Sequence, residues 1–253
     1  MLAMEQWGEG PDLVFLHGWG LNGAIWSEFV APLARRFRIH LVDLPGHGAS
    51  PLVEPYTLEG LAAVCAESLP PRVHLCGWSL GAQVALRYAL DYPQRVDRLC
   101  LISATPCFVQ GSDWAHGVER ATLEDFATEL ARDYHGTLRR FLALQARGGE
   151  EARRVIRSLS HRLFARGAPT LPALQGGLAI LRGADLRREV ARVVHPTLII
   201  HGERDTLTLP AAGLWLAGRL PCGRWQAIPG AAHAPFLSHP QAVQLAMEGF
   251  LDE

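Results

Sequence analysis

Short runs of mostly apolar residues recur along the chain. Runs of four to six such residues are typical of parallel β-strands that are buried on both faces of a sheet. They predict six strands, at 12–16, 38–42, 73–76, 98–103, 197–201 and 224–228.

Stretches rich in Ala and Leu separate several of these runs and have helical periodicity. They predict helices at 58–69, 80–90 and 240–251. Alternation of strand and helix favours an α/β fold with a mostly parallel, doubly wound sheet.

The alternation stops between Phe108 and Asp185, where helical patterns occur without a convincing strand. The candidate helices are 123–134, 137–146, 150–164 and 171–181. We expect residues 108–185 to form a helical cap inserted into a core made of 1–107 and 186–253.

Charge is unevenly distributed, although the formal net charge is only −1 and gives no reason to expect nucleic-acid or membrane binding. All 24 basic residues are Arg, a bias that a GC-rich genome would also produce. Residues 132–166 contain nine Arg and three acidic residues, whereas the rest of the chain contains 15 Arg and 22 acidic residues. The asymmetry favours an acidic partner for this segment; a solvated helix face is the alternative.

The five cysteines are scattered and form no Cys-x-x-Cys pair, so neither a disulfide framework nor a zinc site is predicted. The first residues lack the pattern of a signal peptide, and no apolar run is long enough to span a bilayer. We expect a cytoplasmic protein with reduced thiols, and nothing in the sequence demands more than a monomer.

A Gly-x-Ser-x-Gly sequence, Gly77-Trp78-Ser79-Leu80-Gly81, directly follows a predicted strand and precedes a predicted helix. This context is typical of a nucleophile elbow, a strained turn that projects a serine hydroxyl from the sheet edge. The helix N-terminus also favours the negative charge of a developing oxyanion. A glycine-rich turn without catalytic meaning is the alternative, and the flanking strand and helix favour the elbow.

A serine hydroxyl is a weak nucleophile without a base. In this class of fold the acid and then the histidine follow the serine along the chain. Asp205 follows the penultimate predicted strand and His233 follows the last one, so both would lie at the same sheet edge as Ser79. We expect His233 to take the serine proton and Asp205 to fix the imidazole tautomer. Glu203 and Asp43 are rival acids, although Asp43 precedes Ser79 and suits a turn.

A tetrahedral intermediate would need backbone donors. The N–H of Leu80 and the N–H of Trp19 in the loop at 17–20 are the candidates for an oxyanion hole. The ring of Trp19 could wall an acyl pocket or pack in the core. No spacing of ligands predicts a metal site, and no glycine-rich pattern predicts a nucleotide cofactor.

Several motifs together carry a family resemblance. They are HGWG at 17–20, DLPGHG at 43–48, GWSLG at 77–81, HAPFLSHP at 233–240, LVDLP at 41–45, RFLALQ at 140–145 and GGLAIL at 176–181. The set resembles the α/β-hydrolase superfamily and, within it, the methyl ester esterases that act on pimeloyl-acyl-carrier protein in biotin biosynthesis. The resemblance covers nearly the whole chain, and its last two motifs, in the predicted cap, are the most specific.

The resemblance implies that Ser79, Asp205 and His233 form a catalytic triad. The residues it implies for the substrate site are Trp19, Ser79, Leu80, Phe141, Leu142, Ala143, Leu144, Gln145 and His233. It also implies that an acidic carrier protein docks on cap arginines, which here are Arg140, Arg153 and Arg157. Gly136 stands where a further arginine is expected.

Three functional hypotheses follow. The first is a carrier-protein methyl ester esterase, and the second is a general carboxylesterase for short free esters without a carrier partner. The third is a non-catalytic ligand receptor on the same fold, which would turn esters over slowly or not at all. The first two share the proposed triad and differ in the role of the arginine-rich segment.

Overall fold

A computed structural model of the protein describes residues 1–144, 154, 157, 160 and 167–253. Its single seven-stranded sheet has the strand order β1-β3-β2-β4-β5-β6-β7. The strands are β1 Met4–Trp7, β2 Asp12–Leu16, β3 Arg38–Val42, β4 Val73–Trp78, β5 Val96–Ile102, β6 Thr197–Gly202 and β7 Gly223–Ile228. Neighbouring strands run parallel from β3 to β7, and β1 pairs antiparallel to β3. The predicted α/β fold with a mostly parallel sheet is therefore confirmed.

All six predicted strands are present, with bounds that shift by at most two residues at either end. The sequence pattern missed β1. This edge strand has no apolar run, because Glu5 and Gln6 are exposed while Met4 and Trp7 are half-buried. It is held by pairing with β3, in a register that sets Met4 opposite Val42.

Helices lie between the strands. Their bounds are α1 Ser27–Val30, α2 Leu58–Ser68, α3 Leu80–Asp91, α4 Arg120–Arg132, α5 Tyr134–Leu144, α6 Leu171–Gly183, α7 Pro210–Arg219, α8 Pro235–Ser238 and α9 Pro240–Leu251. Short 3₁₀ turns occupy Gly23–Trp26, Leu33–Arg35, Pro93–Arg95 and Val190–Arg192. The pattern missed α7, whose glycines at 213 and 218 weaken its helical signal but which buries Ala212 and Leu216 against the sheet.

The segment between β5 and β6 contains α4, α5 and α6, and no named strand occurs among its described residues. A single helix was expected at 123–134, but α4 ends at Arg132 because Asp133 leaves helical geometry. The Asp133 carboxylate instead accepts the N–H of Gly136 at 2.9 Å, at the start of α5. The helix expected at 150–164 lies outside the described residues, apart from positions 154, 157 and 160. The division into core and cap stays a prediction.

Parallel strands bring their carboxyl ends to one edge of the sheet. The ends of β4, β5, β6 and β7 meet in register there, with Trp78 beside Ile102, and Gly202 beside Ile228. The central strands β4, β5 and β6 are buried along most of their length behind this edge, as at Leu75, Cys76 and Ile199. The edge therefore rests on a rigid apolar core. Among the described residues, no helix is long and apolar enough to cross a membrane.

Candidate active site

Ser79 occupies the turn between β4 and α3. Its backbone is held at φ 57° and ψ −116°, a conformation that residues with a side chain rarely adopt. The turn is tight, because a Cβ atom on Gly77 would lie 2.3 Å from the carbonyl oxygen of Gly81. A Cβ atom on Gly81 would lie 2.5 Å from the carbonyl oxygen of Leu16 in β2. These two contacts explain why glycines flank the serine in the predicted elbow.

Asp205 and His233 meet in the loops after β6 and β7. The Nδ1–H of His233 donates to Oδ2 of Asp205 over 2.8 Å, and both side chains are buried. Oδ1 of Asp205 accepts the backbone N–H groups of Leu207 at 2.9 Å and Thr208 at 3.0 Å. Of the rival acids, Glu203 is exposed, and Asp43 lies in another loop. The structure therefore brings Asp205, and neither rival, to the histidine.

The charge on Asp205 is stabilised in spite of its burial. Removal from water by itself would raise the pKa of this carboxyl group. The nearby charge of His233 and hydrogen bonds from His201 and His233 outweigh that effect, so the pKa lies well below its usual range. Asp205 is thus a carboxylate at neutral pH and is fitted to stabilise an imidazolium.

The backbone of His233 is fixed by two side chains. Its carbonyl oxygen accepts Nε1–H of Trp78 at 2.8 Å and Oγ–H of Ser103 at 2.9 Å. Trp78 is the residue before Ser79, so the histidine loop is tied directly to the elbow. Among the described residues, no hydrogen-bond partner reaches Nε2 of His233, which is buried. The serine–histidine hydrogen bond is therefore not formed here, a common feature of unliganded sites.

The loop after β2 lies against Ser79. A Cβ atom on Gly18 would be 3.4 Å from the Cβ of Ser79. His17 braces this loop, because its Nε2 accepts the N–H of Leu44 at 2.9 Å and its Nδ1–H donates to the carbonyl of Gly18 at 2.8 Å. Leu80 is the first residue of α3, and N–H groups in the first turn of a helix have no partner within it. The N–H of Leu80 is therefore available beside the serine as a donor to an oxyanion.

Behind this loop lies a buried polar pair. The rings of His17 and His47 are 5.1 Å apart, and Nδ1–H of His47 donates to the carbonyl of Pro45 at 3.0 Å. Burial lowers the pKa of His47 to about 3, and the charge of His17 acts in the same direction. Asp43 organises the turn by accepting the N–H groups of Gly23 at 2.8 Å and Ala49 at 3.0 Å.

Trp19 joins the sheet to the helices of the predicted cap. Its Nε1–H donates to the carbonyl of Leu174 in α6 over 2.9 Å. Its ring packs edge-on against the rings of Phe141 in α5 and Phe126 in α4, with ring centroids 4.9 Å and 5.4 Å apart. Gly177 in α6 makes room for it, since a Cβ there would lie 2.6 Å from Cδ1 of the indole. Trp19 is thus packed as core and also forms the floor beneath α4, α5 and α6.

The remaining predicted substrate residues belong to α5 and the segment after it. Phe141 is half-buried against Trp19, and Leu142 is buried. The side chains of Ala143 and Leu144 lie outside the described part of the structure, as does the whole of Gln145.

The predicted carrier contacts are only partly described. Arg140 is exposed, and its guanidinium pairs with Glu129 at 2.9 Å and with Asp133 at 3.8 Å. Arg157 is exposed as well, and Arg153 lies outside the described residues. A side chain at position 136 would displace Asp133, because a Cβ there would lie 1.8 Å from its Oδ2.

Four residues of the site were missed by sequence reasoning. Trp78 and Ser103 hold the carbonyl of His233, and Thr208 and His201 contact the carboxylate of Asp205. The only sequence signal of Trp78, Ser103 and His201 is their position at or just after strand ends, and Thr208 has only its place in the loop after β6; neither signal specifies a partner. Among the described residues, no group of three His, Cys, Asp or Glu side chains is placed to hold a metal ion.

Comparison with known proteins assigns the fold family. Residues 11–240 match the family model described as alpha/beta hydrolase fold. A solved structure of a hydrolase from Pseudomonas aeruginosa is similar, with a TM-score of 0.84 and 29% identity over 100% of this chain and 94% of that one. A bromoperoxidase from Bacillus anthracis has a TM-score of 0.92 and 23% identity over 100% of this chain and 95% of that one, which supports the fold alone.

Curated proteins are similar over almost the whole chain. A protein from Nitrosomonas europaea is 48% identical over 241 residues, which cover 95% of each chain. One from Xanthomonas oryzae pv. oryzae is 48% identical over 250 residues, covering 96% of each, and one from Aeromonas hydrophila is 45% identical over 252 residues, covering 99% of each. All three are named pimeloyl-[acyl-carrier protein] methyl ester esterase.

Proposed function

This chain belongs to the α/β-hydrolase fold family, and on that premise we propose that it is a serine esterase that hydrolyses the methyl ester of pimeloyl-acyl-carrier protein in biotin biosynthesis. The observation that carries the proposal is the buried pair of Asp205 and His233, tied through Trp78 to the strained turn at Ser79. The substrate is suggested by relatives of that name, which are 44–48% identical over most of this chain.

In the proposed reaction, Oγ of Ser79 attacks the ester carbonyl carbon while Nε2 of His233 takes the hydroxyl proton. The carbonyl oxygen becomes an oxyanion that the N–H groups of Leu80 and Trp19 stabilise. The bond to the methoxy oxygen then breaks, and His233 returns the proton so that methanol leaves. Asp205 stabilises the imidazolium throughout.

The acyl-enzyme on Ser79 is then hydrolysed by the same groups acting in reverse. His233 takes a proton from water, the hydroxide adds to the acyl carbon, and the ester bond to Oγ breaks as His233 protonates the serine. The product is the free ω-carboxylate of the carrier-bound pimeloyl chain. No metal or redox cofactor is needed to balance either half of this reaction.

The proposal assigns the cap, residues 108–185, to substrate selection. Trp19, Phe141 and Leu142 are assigned to an apolar wall for the acyl chain, and Ala143, Leu144 and Gln145 are assigned to the same substrate site. Arg140, Arg153 and Arg157 are assigned to the acidic carrier protein, because arginine provides a fork of donors for carboxylate and phosphate. The protein is proposed to act as a cytoplasmic monomer.

A general carboxylesterase is the second candidate. The observation in its favour is that Arg140 is already paired with Glu129, which leaves its guanidinium partly neutralised in the absence of a carrier. Both candidates predict the same chemistry at Ser79 and differ only in the delivery of the ester.

One experiment separates them. Hydrolysis of the carrier-linked pimeloyl methyl ester and of a free short-chain ester is measured across a salt series. Charge interactions between exposed groups are screened over about 10 Å at 0.1 M salt. We expect kcat/KM for the carrier substrate to fall with salt while the value for the free ester stays level. A flat response for the carrier substrate would count against carrier docking and favour the general carboxylesterase.

A further inference from the structure

We infer that the hydroxyl group of Thr208 is a positioning group for the active site, which holds the His233–Asp205 pair in its reactive arrangement. The inference rests on the proposed function in that it takes Ser79, His233 and Asp205 as the reacting groups. It assigns a role to a residue that contacts both the acid and the base.

Thr208 Oγ1 lies between the two members of the pair. It is 2.8 Å from Oδ2 of Asp205 and 3.1 Å from Nδ1 of His233. It is also 3.0 Å from the carbonyl oxygen of Ser103 at the end of β5. Only 2% of Thr208 is exposed, so water does not compete for these contacts. One hydroxyl therefore bridges the acid, the base and the neighbouring strand.

The chemistry of these partners fixes where the protons lie. A hydroxyl has one hydrogen and two lone pairs. The Asp205 carboxylate and the Ser103 carbonyl can only accept, so the single hydrogen of Thr208 is directed to one of them. A lone pair then faces Nδ1 of His233, which must carry a proton. The neutral imidazole consequently leaves Nε2 unprotonated, the state required to take the proton of Ser79.

Thr208 is itself held from several directions. Its N–H donates to Oδ1 of Asp205 at 3.0 Å, and its carbonyl oxygen accepts Nε2–H of His201 at 2.7 Å. Ser103, whose carbonyl oxygen lies 3.0 Å from this hydroxyl, has φ 48° and donates through Oγ to the carbonyl of His233. The hydroxyl thus has little freedom to move, and its oxygen is preorganised beside Nδ1.

The contact gains importance when His233 is protonated. Nδ1–H faces the same two acceptors in both states, Asp205 at 2.8 Å and Thr208 at 3.1 Å, and the positive charge of the imidazolium strengthens both contacts. This added stabilisation concerns the cation that forms in the transition state and does not involve the bound ester. Loss of the hydroxyl should therefore lower kcat and leave KM unchanged.

The test compares Thr208→Val, which keeps the shape and removes the hydroxyl, with Thr208→Ser, which keeps the hydroxyl. Thr206→Val is the matched control, because Thr206 lies in the same loop but is exposed. Thr208→Ala is a second hydroxyl-free variant in case the Thr208→Val protein does not fold. Thermal unfolding verifies that each variant is folded. The substrate is 4-nitrophenyl acetate, which needs no carrier protein.

We expect kcat to fall about 10-fold or more in the hydroxyl-free variants, with KM unchanged, because hydrogen bonds to charged groups are the strong ones. Thr208→Ser and Thr206→Val should stay near wild type. In proton NMR spectra, the low-field signal of Nδ1–H of His233 should persist in Thr208→Ser and broaden in the hydroxyl-free variants.

Wild-type kcat in the hydroxyl-free variants, or a serine variant as impaired as they are, would overturn the inference. Failure of the proposed function gives a different result. In that case wild-type protein would cleave 4-nitrophenyl acetate but not the carrier-linked methyl ester, and the comparison at Thr208 would be unaffected.

Discussion

The indole Nε1–H of Trp78 donates a 2.8 Å hydrogen bond to the carbonyl oxygen of His233, and the two rings lie 5.5 Å apart. The residue next to the proposed nucleophile thus holds the backbone of the proposed base. Trp78 is in turn packed against Phe236, in the short helix that follows His233. The turn at Ser79 and the loop that carries His233 therefore pack together as one unit. A substitution in either should disturb the geometry of the other.

Replacement of Asp205 by Asn should remove the electrostatic support of His233. The amide could also present a donor to Nδ1 and so favour the wrong imidazole tautomer. We expect kcat to fall by about 10³- to 10⁴-fold, as in other triads of this type. Glu203→Gln, two positions away and exposed, is the matched control and should keep wild-type kcat. Comparable losses in the two variants, measured on 4-nitrophenyl acetate, would exclude Asp205 as the specific acid.

Gly81→Ala should distort the elbow. The added Cβ would lie 2.5 Å from the carbonyl oxygen of Leu16 and 2.6 Å from that of His17, so α3 must move away from β2. We expect the free energy of unfolding to fall by at least about 2 kcal/mol, together with kcat. Gly249→Ala in α9 is the control, because a Cβ there meets nothing within 4 Å. The free energy of unfolding of Gly249→Ala should rise by about 0.5–1 kcal/mol. Both variants are measured by urea unfolding, and a Gly81→Ala variant as stable as wild type would contradict the described turn.

His47 should make the protein less stable in mild acid. Its pKa in the folded protein is about 3, below the ordinary value of 6.5. Between these values the unfolded chain binds a proton that the folded protein does not, so this contribution is complete above pH 6.5 and is lost progressively as the pH falls towards 3. His47 alone should lower the free energy of unfolding by about 2 kcal/mol between pH 8 and pH 5.

The contribution of His47 can be isolated by urea unfolding of wild-type protein and His47→Asn at both pH values. Asp205 does not contribute in this window, because its carboxyl group is ionised in both folded and unfolded protein above pH 5. The Asn variant should lose about 2 kcal/mol less than wild type between pH 8 and pH 5. An unchanged pH slope in the variant would show that burial does not hold His47 in its neutral form.

Arg140→Ala should weaken the use of a carrier-linked substrate. Removal of one exposed charge should raise KM for that substrate by roughly 3- to 10-fold and reduce its salt dependence, with kcat on 4-nitrophenyl acetate unchanged. Arg224→Ala is the matched control, since Arg224 is equally exposed and ion-paired, with Glu253, but lies on the sheet. An equal change in both variants would point to a general charge effect without a docking role for Arg140.

Much of the sheet could be predicted, because buried parallel strands require continuous apolar runs. The positions of Ser79, Asp205 and His233 after strand ends also followed from the sequence, since carboxyl ends of parallel strands share one edge. The pairing of Asp205 with His233 is observed, while their catalytic roles remain predictions.

Other features had no local signal. Strand β1 depends on pairing with β3 and has no apolar run of its own. Thr208 lies three residues after Asp205 but acts through a strand and a loop that are distant in sequence. The ion pair of Arg140 with Glu129 joins two helices and could not be inferred from charge counting. The partner of a polar side chain is set by tertiary contacts of this kind, which the local sequence does not specify.

The central claim is that Ser79 is the nucleophile of an ester hydrolase, and methanol release from the methyl ester of pimeloyl-acyl-carrier protein tests it most directly. Wild-type protein and Ser79→Ala are compared, with circular dichroism to verify that both are folded. We expect rapid release by the wild type and a loss of about 10⁶-fold, to background, in the variant. Methanol release by Ser79→Ala at a rate comparable with wild type would contradict the account.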